Sequence, residues 1–200
     1  MTDLFEDKAR DWDTRPVPLQ ISEGVGAALL ARVPLRPDLR VIDFGAGTGL
    51  VCAKVAPHVA TVFAVDISQA MLAQLAAKPQ LAGKVEIRCQ DLLVQPLGET
   101  VDLVVSAMAM HHVQDTARLL DAFAAHLVPG GRIALADLDR EDGSFHAAGT
   151  EGVYHHGFDR DQLAAQLARA GFVDVEFATA TRVIRDGRGY DVFLVTATRG

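Results

Sequence analysis

A glycine loop bracketed by two aspartates is where residue types and spacing in this 200-residue chain first amount to chemistry. The stretch VIDFGAGTGL, residues 41–50, sets Gly45, Gly47 and Gly49 at GxGxG spacing directly after an apolar run. Without side chains, such a loop can turn sharply and bring its backbone close to a ligand. A nicotinamide dinucleotide fingerprint requires glycine at the sixth position, where this chain has Leu50. Asp43 precedes the first glycine by two residues, and a carboxylate there would repel a pyrophosphate and favour a cation. Its other possible task is to bind backbone amides of the loop. Asp66 ends the next apolar run, VFAVD, about twenty residues after Gly45, the interval at which such loops are followed by a ribose-binding acid. Its two oxygens can accept both ribose hydroxyls.

These residues need a sheet to present them, and the middle of the chain supplies one. The runs RVIDF, TVFAVD, KVEIRCQ, VDLVVSAMA and RIALADL read as strands, separated by GLVCAKVAPHV, SQAMLAQLAAK and DTARLLDAFAAHLV with apolar residues at helical spacing. Strands that are apolar nearly throughout belong to a parallel sheet covered on both faces. Right-handed crossovers make it a doubly wound α/β sheet. Ahead of it, VPLQISEGVGAALLARV reads as a helix stopped by Pro34 and Pro37. Behind it, FDRDQLAAQLARAGF reads as another, capped by Asp159 and stopped at Gly171. The tail VDVEFATATRVI, RDGRG, YDVFLVTATR is a hairpin with Asp-Gly in its turn, so an antiparallel pair is appended. The expected organisation is one domain: residues 1–36 an N-terminal cap and helix, 37–200 the sheet domain, and 139–157 a long connection acting as a lid or a site wall.

Composition narrows the partners. A formal net charge of -7, with 50% hydrophobic and 22% charged residues, describes a globular chain without the basic surface of a nucleic-acid binder. Cys52 and Cys89 sit in apolar runs with no CxxC or Cys/His ligand spacing, against a disulfide framework or a structural zinc. No apolar run reaches the length that spans a membrane. The expectation is a cytoplasmic monomer or homodimer acting on a small molecule. A ligand with a ribose, an adenine, and a cationic or zwitterionic group in place of phosphates fits the loop and its acids, and S-adenosylmethionine meets that description.

Five segments taken in order, VIDFGAGTGL, VFAVDIS, RCQDLL, VDLVVSAMAMHHV and LVPGGRIALADLD, make the chain resemble the class I S-adenosylmethionine-dependent methyltransferases of the small-molecule type. The resemblance runs from about Trp12 to the C-terminus and implies a Rossmann-like seven-stranded sheet, mostly parallel, with a C-terminal antiparallel hairpin. It further implies that Gly45 and Gly47 line the methionine part of the cofactor and that Asp66 holds the ribose. Ile67 and Met71 would pack against adenine, Asp91 would accept its amino group, the Leu92 amide would contact the ring, and Ser106 would stand on the cofactor side of the fourth strand. The Asn/Asp-Pro-Pro-Tyr/Phe sequence of relatives that methylate adenine N6 or glutamine is replaced here by SAMAMHH, which makes DNA and release factors poor substrates.

Methyl transfer from a sulfonium is an in-line displacement that alignment and desolvation can largely supply, so no nucleophilic residue is required. An alcohol, phenol or ammonium acceptor must still lose a proton, a task for histidine. His111 and His112 follow the fourth strand, and His155 and His156 lie in the long connection; His111, His155 and His156 are the catalytic candidates, against bracing or packing roles for each pair. His146, His155 and His156 with Asp137 or Asp139 match no metal-ligand spacing, so no metal is expected. Arg15, in DWDTRP, could pair with the cofactor carboxylate. Two weaker readings remain at this point: a nicotinamide-dependent oxidoreductase, disfavoured by Leu50 and Asp43, and a non-catalytic protein that binds S-adenosylmethionine.

Overall fold

The computed structural model describes residues 3–200. The chain begins with a short helix α1 (Glu6–Ala9), a 3-10 turn (Trp12–Thr14) and a long helix α2 (Pro16–Arg32). Strands and helices then alternate: β1 (Arg40–Phe44), α3 (Cys52–Val55), β2 (Thr61–Asp66), α4 (Gln69–Ala76), β3 (Val85–Cys89), β4 (Val101–Ala107), α5 (Thr116–His126), β5 (Leu127–Leu138) and α6 (Arg160–Arg169). The hairpin β6 (Phe172–Arg185) and β7 (Arg188–Arg199) ends the chain.

All seven strands form one sheet in the order β3-β2-β1-β4-β5-β7-β6. The first five are parallel, and β7 runs antiparallel to both β5 and β6. Period-two alternation sends successive side chains to opposite faces, and two cores result. Val41, Val62, Ala64, Leu103, Val105, Ala134, Ala136 and Leu194 pack with α2, α3 and α4 on one face. Ile42, Phe63, Val65, Val104, Ile133, Leu135 and Phe193 pack with α5 and α6 on the other. The winding reverses between β1 and β4, which opens a crevice at their C-terminal ends.

Local sequence explains the joints. Asp159 caps α6 by accepting from the Gln162 amide at 3.0 Å, and Gly171 follows the helix with φ +87°. In the β6–β7 turn Asp186 and Gly187 take φ of +51° and +77°, as a two-residue turn matched to strand twist requires. The stretch GLVCAKVAPHV forms less helix than its apolar spacing predicts: only Cys52–Val55 is α-helical, followed by a 3-10 turn, Ala56–His58. Pro57 has no amide hydrogen to donate and clashes with the turn before it, so the helix stops there.

Candidate active site

The glycine loop follows β1 into the crevice, and its three glycines all have positive φ: Gly45 +67°, Gly47 +54° and Gly49 +82°. They are not equivalent. A Cβ on Gly45 would collide with the Ala109 methyl group and one on Gly49 would run into Leu75, whereas one on Gly47 would meet nothing within 4 Å. Gly47 therefore faces open space. Asp66, at the end of β2, accepts the Gly47 amide on Oδ2 and the Ser68 amide on Oδ1, both at 2.8 Å. The carboxylate is mostly buried, and that burial raises its pKa despite the two amides.

Asp43 lies inside the sheet, 1% exposed, and accepts the Cys52 thiol at 3.0 Å. Burial pushes its carboxyl up to about 7, and burial beside Asp43 pushes the Cys52 thiol up as well. Ile67 is 60% exposed beside Asp66, a large apolar side chain left free at the mouth of the crevice. Met71 is buried in the first turn of α4, and Leu92 is buried in the core beneath α5. Asp91 is exposed and accepts the Leu93 amide at 2.8 Å. The Ser106 hydroxyl donates to the Phe44 carbonyl at 2.9 Å and so ties β4 to β1 at the crevice.

The N-terminal segment is strapped across this half by two acids that the sequence reading did not single out. Asp3 accepts the Ser68 hydroxyl at 2.8 Å and the Ala70 amide at 3.3 Å, and α1 packs on α4. Asp13 accepts the hydroxyl of Thr48, inside the glycine loop, and pairs with Lys78, each at 2.5 Å. Arg15 is turned to Asp11 at 2.7 Å and lies over the Trp12 ring, so its charge is already paired within the strap.

On the β4 side the chain leaves the sheet through Met108, whose φ of +57° is rare for a residue with a side chain. The 3-10 turn Met110–His112 then folds back beside Gly45. His111 is 1% exposed; its Nδ1 lies 2.7 Å from Asp137 Oδ1, and its amide donates to Oδ2 at 3.2 Å. His112 donates from Nδ1 to the Gly152 carbonyl at 2.7 Å. His146 reaches the same place from the long connection, with ring centroids 5.0 Å from His111 and 6.0 Å from His112. Burial, reinforced by neighbouring imidazoles, lowers both His112 and His146 to about 4. Among the described residues no group of three or more His, Cys, Asp or Glu could hold a metal ion.

The second histidine pair is divided. His155 Nε2 lies 2.9 Å from the Val113 carbonyl and 3.1 Å from the Thr116 hydroxyl, a brace between the connection and the start of α5. His156 is exposed, 3.7 Å from Glu141. The connection itself is packed down: the amides of Tyr154 and His155 donate to the His111 carbonyl, Ser144 contacts the Tyr190 hydroxyl at 2.8 Å, and Arg188 pairs with Asp142. The structure thus gathers His111, His112, His146 and Asp137 in one cluster and leaves His155 and His156 at its edge.

Residues 19–176 match the family described as a methyltransferase domain. The chain is 37% identical over 120 residues to a trans-aconitate 2-methyltransferase of Deinococcus radiodurans, covering 59% of this chain and 45% of that protein. It is 32% identical over 108 residues to a ubiquinone biosynthesis O-methyltransferase of Nitrobacter winogradskyi, covering 54% and 41%. The chain thus spans less than half the length of these two relatives. Among solved structures, the complex of the Haloferax volcanii Trm112 methyltransferase activator with a methyltransferase gives a TM-score of 0.81 at 18% identity, covering 100% of this chain and 99% of that one. The N-methyltransferase NodS of Bradyrhizobium japonicum with S-adenosyl-L-homocysteine gives 0.73 at 17%, covering 98% and 94%. At these identities the likeness is one of fold.

Proposed function

Starting from the fact that this chain belongs to the class I S-adenosylmethionine-dependent methyltransferases, we propose that it moves the methyl group of S-adenosylmethionine to an oxygen or nitrogen atom of a small molecule. The observation that carries this reading is the pairing of Gly47 with Asp66. The open space over Gly47 leaves room for a ligand against the loop, and each Asp66 oxygen, with one amide already bound, keeps a lone pair for a ribose hydroxyl. Gly45 and Gly47 line the methionine portion, Ile67 covers one adenine face, and Asp91 with the Leu92 amide meets the ring edge. Met71, Ser106 and Asp43 act from behind as packing and tie residues. Arg15 reaches the cofactor carboxylate only by leaving Asp11.

In this reading the methyl donor lies beside the turn that carries His111, and the acceptor is held between the glycine loop and the long connection. His155 and His156 shape that wall. The acidic chain, at net charge -7, acts without nucleic acid, as a monomer or homodimer in the cytoplasm; no helix among the described residues is long and apolar enough to cross a membrane. Titration calorimetry tests the core of the reading. S-adenosylmethionine and S-adenosylhomocysteine are expected to bind with micromolar affinity, about -8 kcal/mol, and NAD not to bind; tight NAD binding would overturn it in favour of an oxidoreductase.

A further inference from the structure

Two ring nitrogens in the histidine cluster, His111 Nε2 and His146 Nε2, are buried with no hydrogen-bond partner. Buried polar atoms are nearly always paired, so an unpaired one in a crevice asks for an explanation. Asp137 supplies half of it. Asp137 is fully buried, and both its oxygens already serve as acceptors, Oδ2 for the His111 amide and Oδ1 for the Leu138 amide at 2.8 Å; it is with Oδ1 that it meets His111 Nδ1, at 2.7 Å. Nδ1 must therefore carry the imidazole hydrogen, and Nε2 is left as a bare lone pair. A lone pair is complementary to a donor and repels another acceptor.

We propose that Asp137 is a positioning residue that holds His111 as a proton acceptor, and that the methyl acceptor is a hydroxyl or an amine with a hydrogen to lose, not a carboxylate. The inference rests on the methyl-transfer reading above. In the reaction, the acceptor oxygen or nitrogen forms a bond to the methyl carbon as the carbon–sulfur bond breaks, and the electron pair stays on sulfur as the neutral thioether. The acceptor's proton passes to His111 Nε2. The positive charge that leaves the sulfonium thus ends on an imidazolium beside the Asp137 carboxylate. His112 and His146 stay neutral around it, and neither has a carboxylate hydrogen-bonded to its ring. His146 is carried by the connection, not by the sheet, and is the ring that turns aside when the acceptor enters.

The first test is the His111 tautomer, read by long-range proton–nitrogen NMR on uniformly nitrogen-labelled protein, with His111→Gln used to assign the ring. The expected spectrum has a protonated Nδ1 and an unprotonated Nε2 in the wild type, and loses that preference in Asp137→Asn. A wild-type ring protonated at Nε2 overturns the proposal. The second test measures S-adenosylhomocysteine release at saturating S-adenosylmethionine with catechol, ethanolamine and citrate as acceptors. Turnover of catechol or ethanolamine is expected, with kcat at least tenfold lower in Asp137→Asn while KM and S-adenosylhomocysteine affinity stay within twofold. Methylation of citrate, or an unchanged kcat in Asp137→Asn, overturns it. If none of the three reacts, or if Asp137→Asn does not fold, the wild-type tautomer decides alone. Failure of S-adenosylhomocysteine to bind would sink the methyl-transfer reading instead, which separates the two.

Discussion

The two sides of the β1/β4 crevice bury polar groups in opposite ways. On the glycine-loop side the buried or half-buried acids Asp43, Asp66, Asp3 and Asp13 each have donors within the chain, from backbone amides, a thiol, hydroxyls or a lysine. On the β4 side three imidazoles cluster beside one carboxylate, which contacts the ring of one of them, and two of their buried nitrogens have no partner. A carboxylate cannot be left unpaired in a crevice at tolerable cost, while a neutral imidazole can wait for a ligand. The glycine-loop side is thus preorganised by its own backbone, and the histidine side keeps its hydrogen-bonding capacity in reserve.

The largest expected effect probes the preorganised side. Gly45→Ala places a methyl group against Ala109 in a left-handed backbone and should cost about 2–4 kcal/mol of folding stability. Gly47→Ala, with open space above it, should cost only the conformational strain, about 1–2 kcal/mol, yet cripple cofactor binding; paired urea denaturation and calorimetry measure both. Equal stability losses at the two glycines would mean that Gly47 does not face a ligand site.

Asp66→Ala comes next. Loss of a charge-assisted acceptor at about 1.5–3 kcal/mol corresponds to a tenfold to hundredfold weaker Kd for S-adenosylmethionine, given about 1.4 kcal/mol per decade. Asp66→Asn should fall between the two. Wild-type affinity in a folded Asp66→Ala protein would show that the carboxylate merely ties the loop.

The contrast should also appear in stability against pH. Asp43 keeps its proton to about 7 when folded against 3.8 as the ordinary value, so across that window the folded chain holds more protons than the unfolded one. Stability from this group is full below about pH 4 and is lost as pH rises through 7, with a limiting slope of about 1.4 kcal/mol per pH unit. His112 and His146, lowered from 6.5 to about 4, act in the opposite sense: their contribution is present above 6.5 and is lost as pH falls towards 4. Urea midpoints from pH 4.5 to 7.5 should therefore shift upward at the alkaline end in Asp43→Asn relative to wild type. Identical pH curves for the two proteins would remove Asp43 from this account.

The smallest effect is expected at the edge of the histidine side. His156→Ala, at an exposed ring 3.7 Å from Glu141, should change folding stability by less than about 0.5 kcal/mol. His155→Ala, which removes the brace to Val113 and Thr116, should cost about 1 kcal/mol. A reversal of that order, measured by thermal or urea denaturation, would contradict the division of the pair.

Much of this molecule was legible along the chain because the signals are local. Near-continuous apolar runs named the strands, the GxGxG loop and Asp66 named one side of the crevice, and Asp186-Gly187 named the hairpin turn. These depend on residues that are near neighbours in sequence or on the fixed spacing of a strand–loop–helix unit. The histidine side was read only in fragments. His111 was visible as a histidine after β4, but Asp137 had no reason to be its partner until β5 lay beside β4, and His146 joined them only when the long connection folded down. The same holds for the strap, where Asp3 and Asp13 acquire meaning from contacts to Ser68, Thr48 and Lys78 far along the chain. Sequence alone determined the backbone frame, the glycine loop and the acid that closes β2, since apolar patterning, turn chemistry and the fixed spacing of a strand–loop–helix unit mark them. Tertiary structure decided which carboxylate stands against the His111 ring, because that depends on a 2.7 Å contact between residues 26 positions apart, made by the sheet and by nothing local.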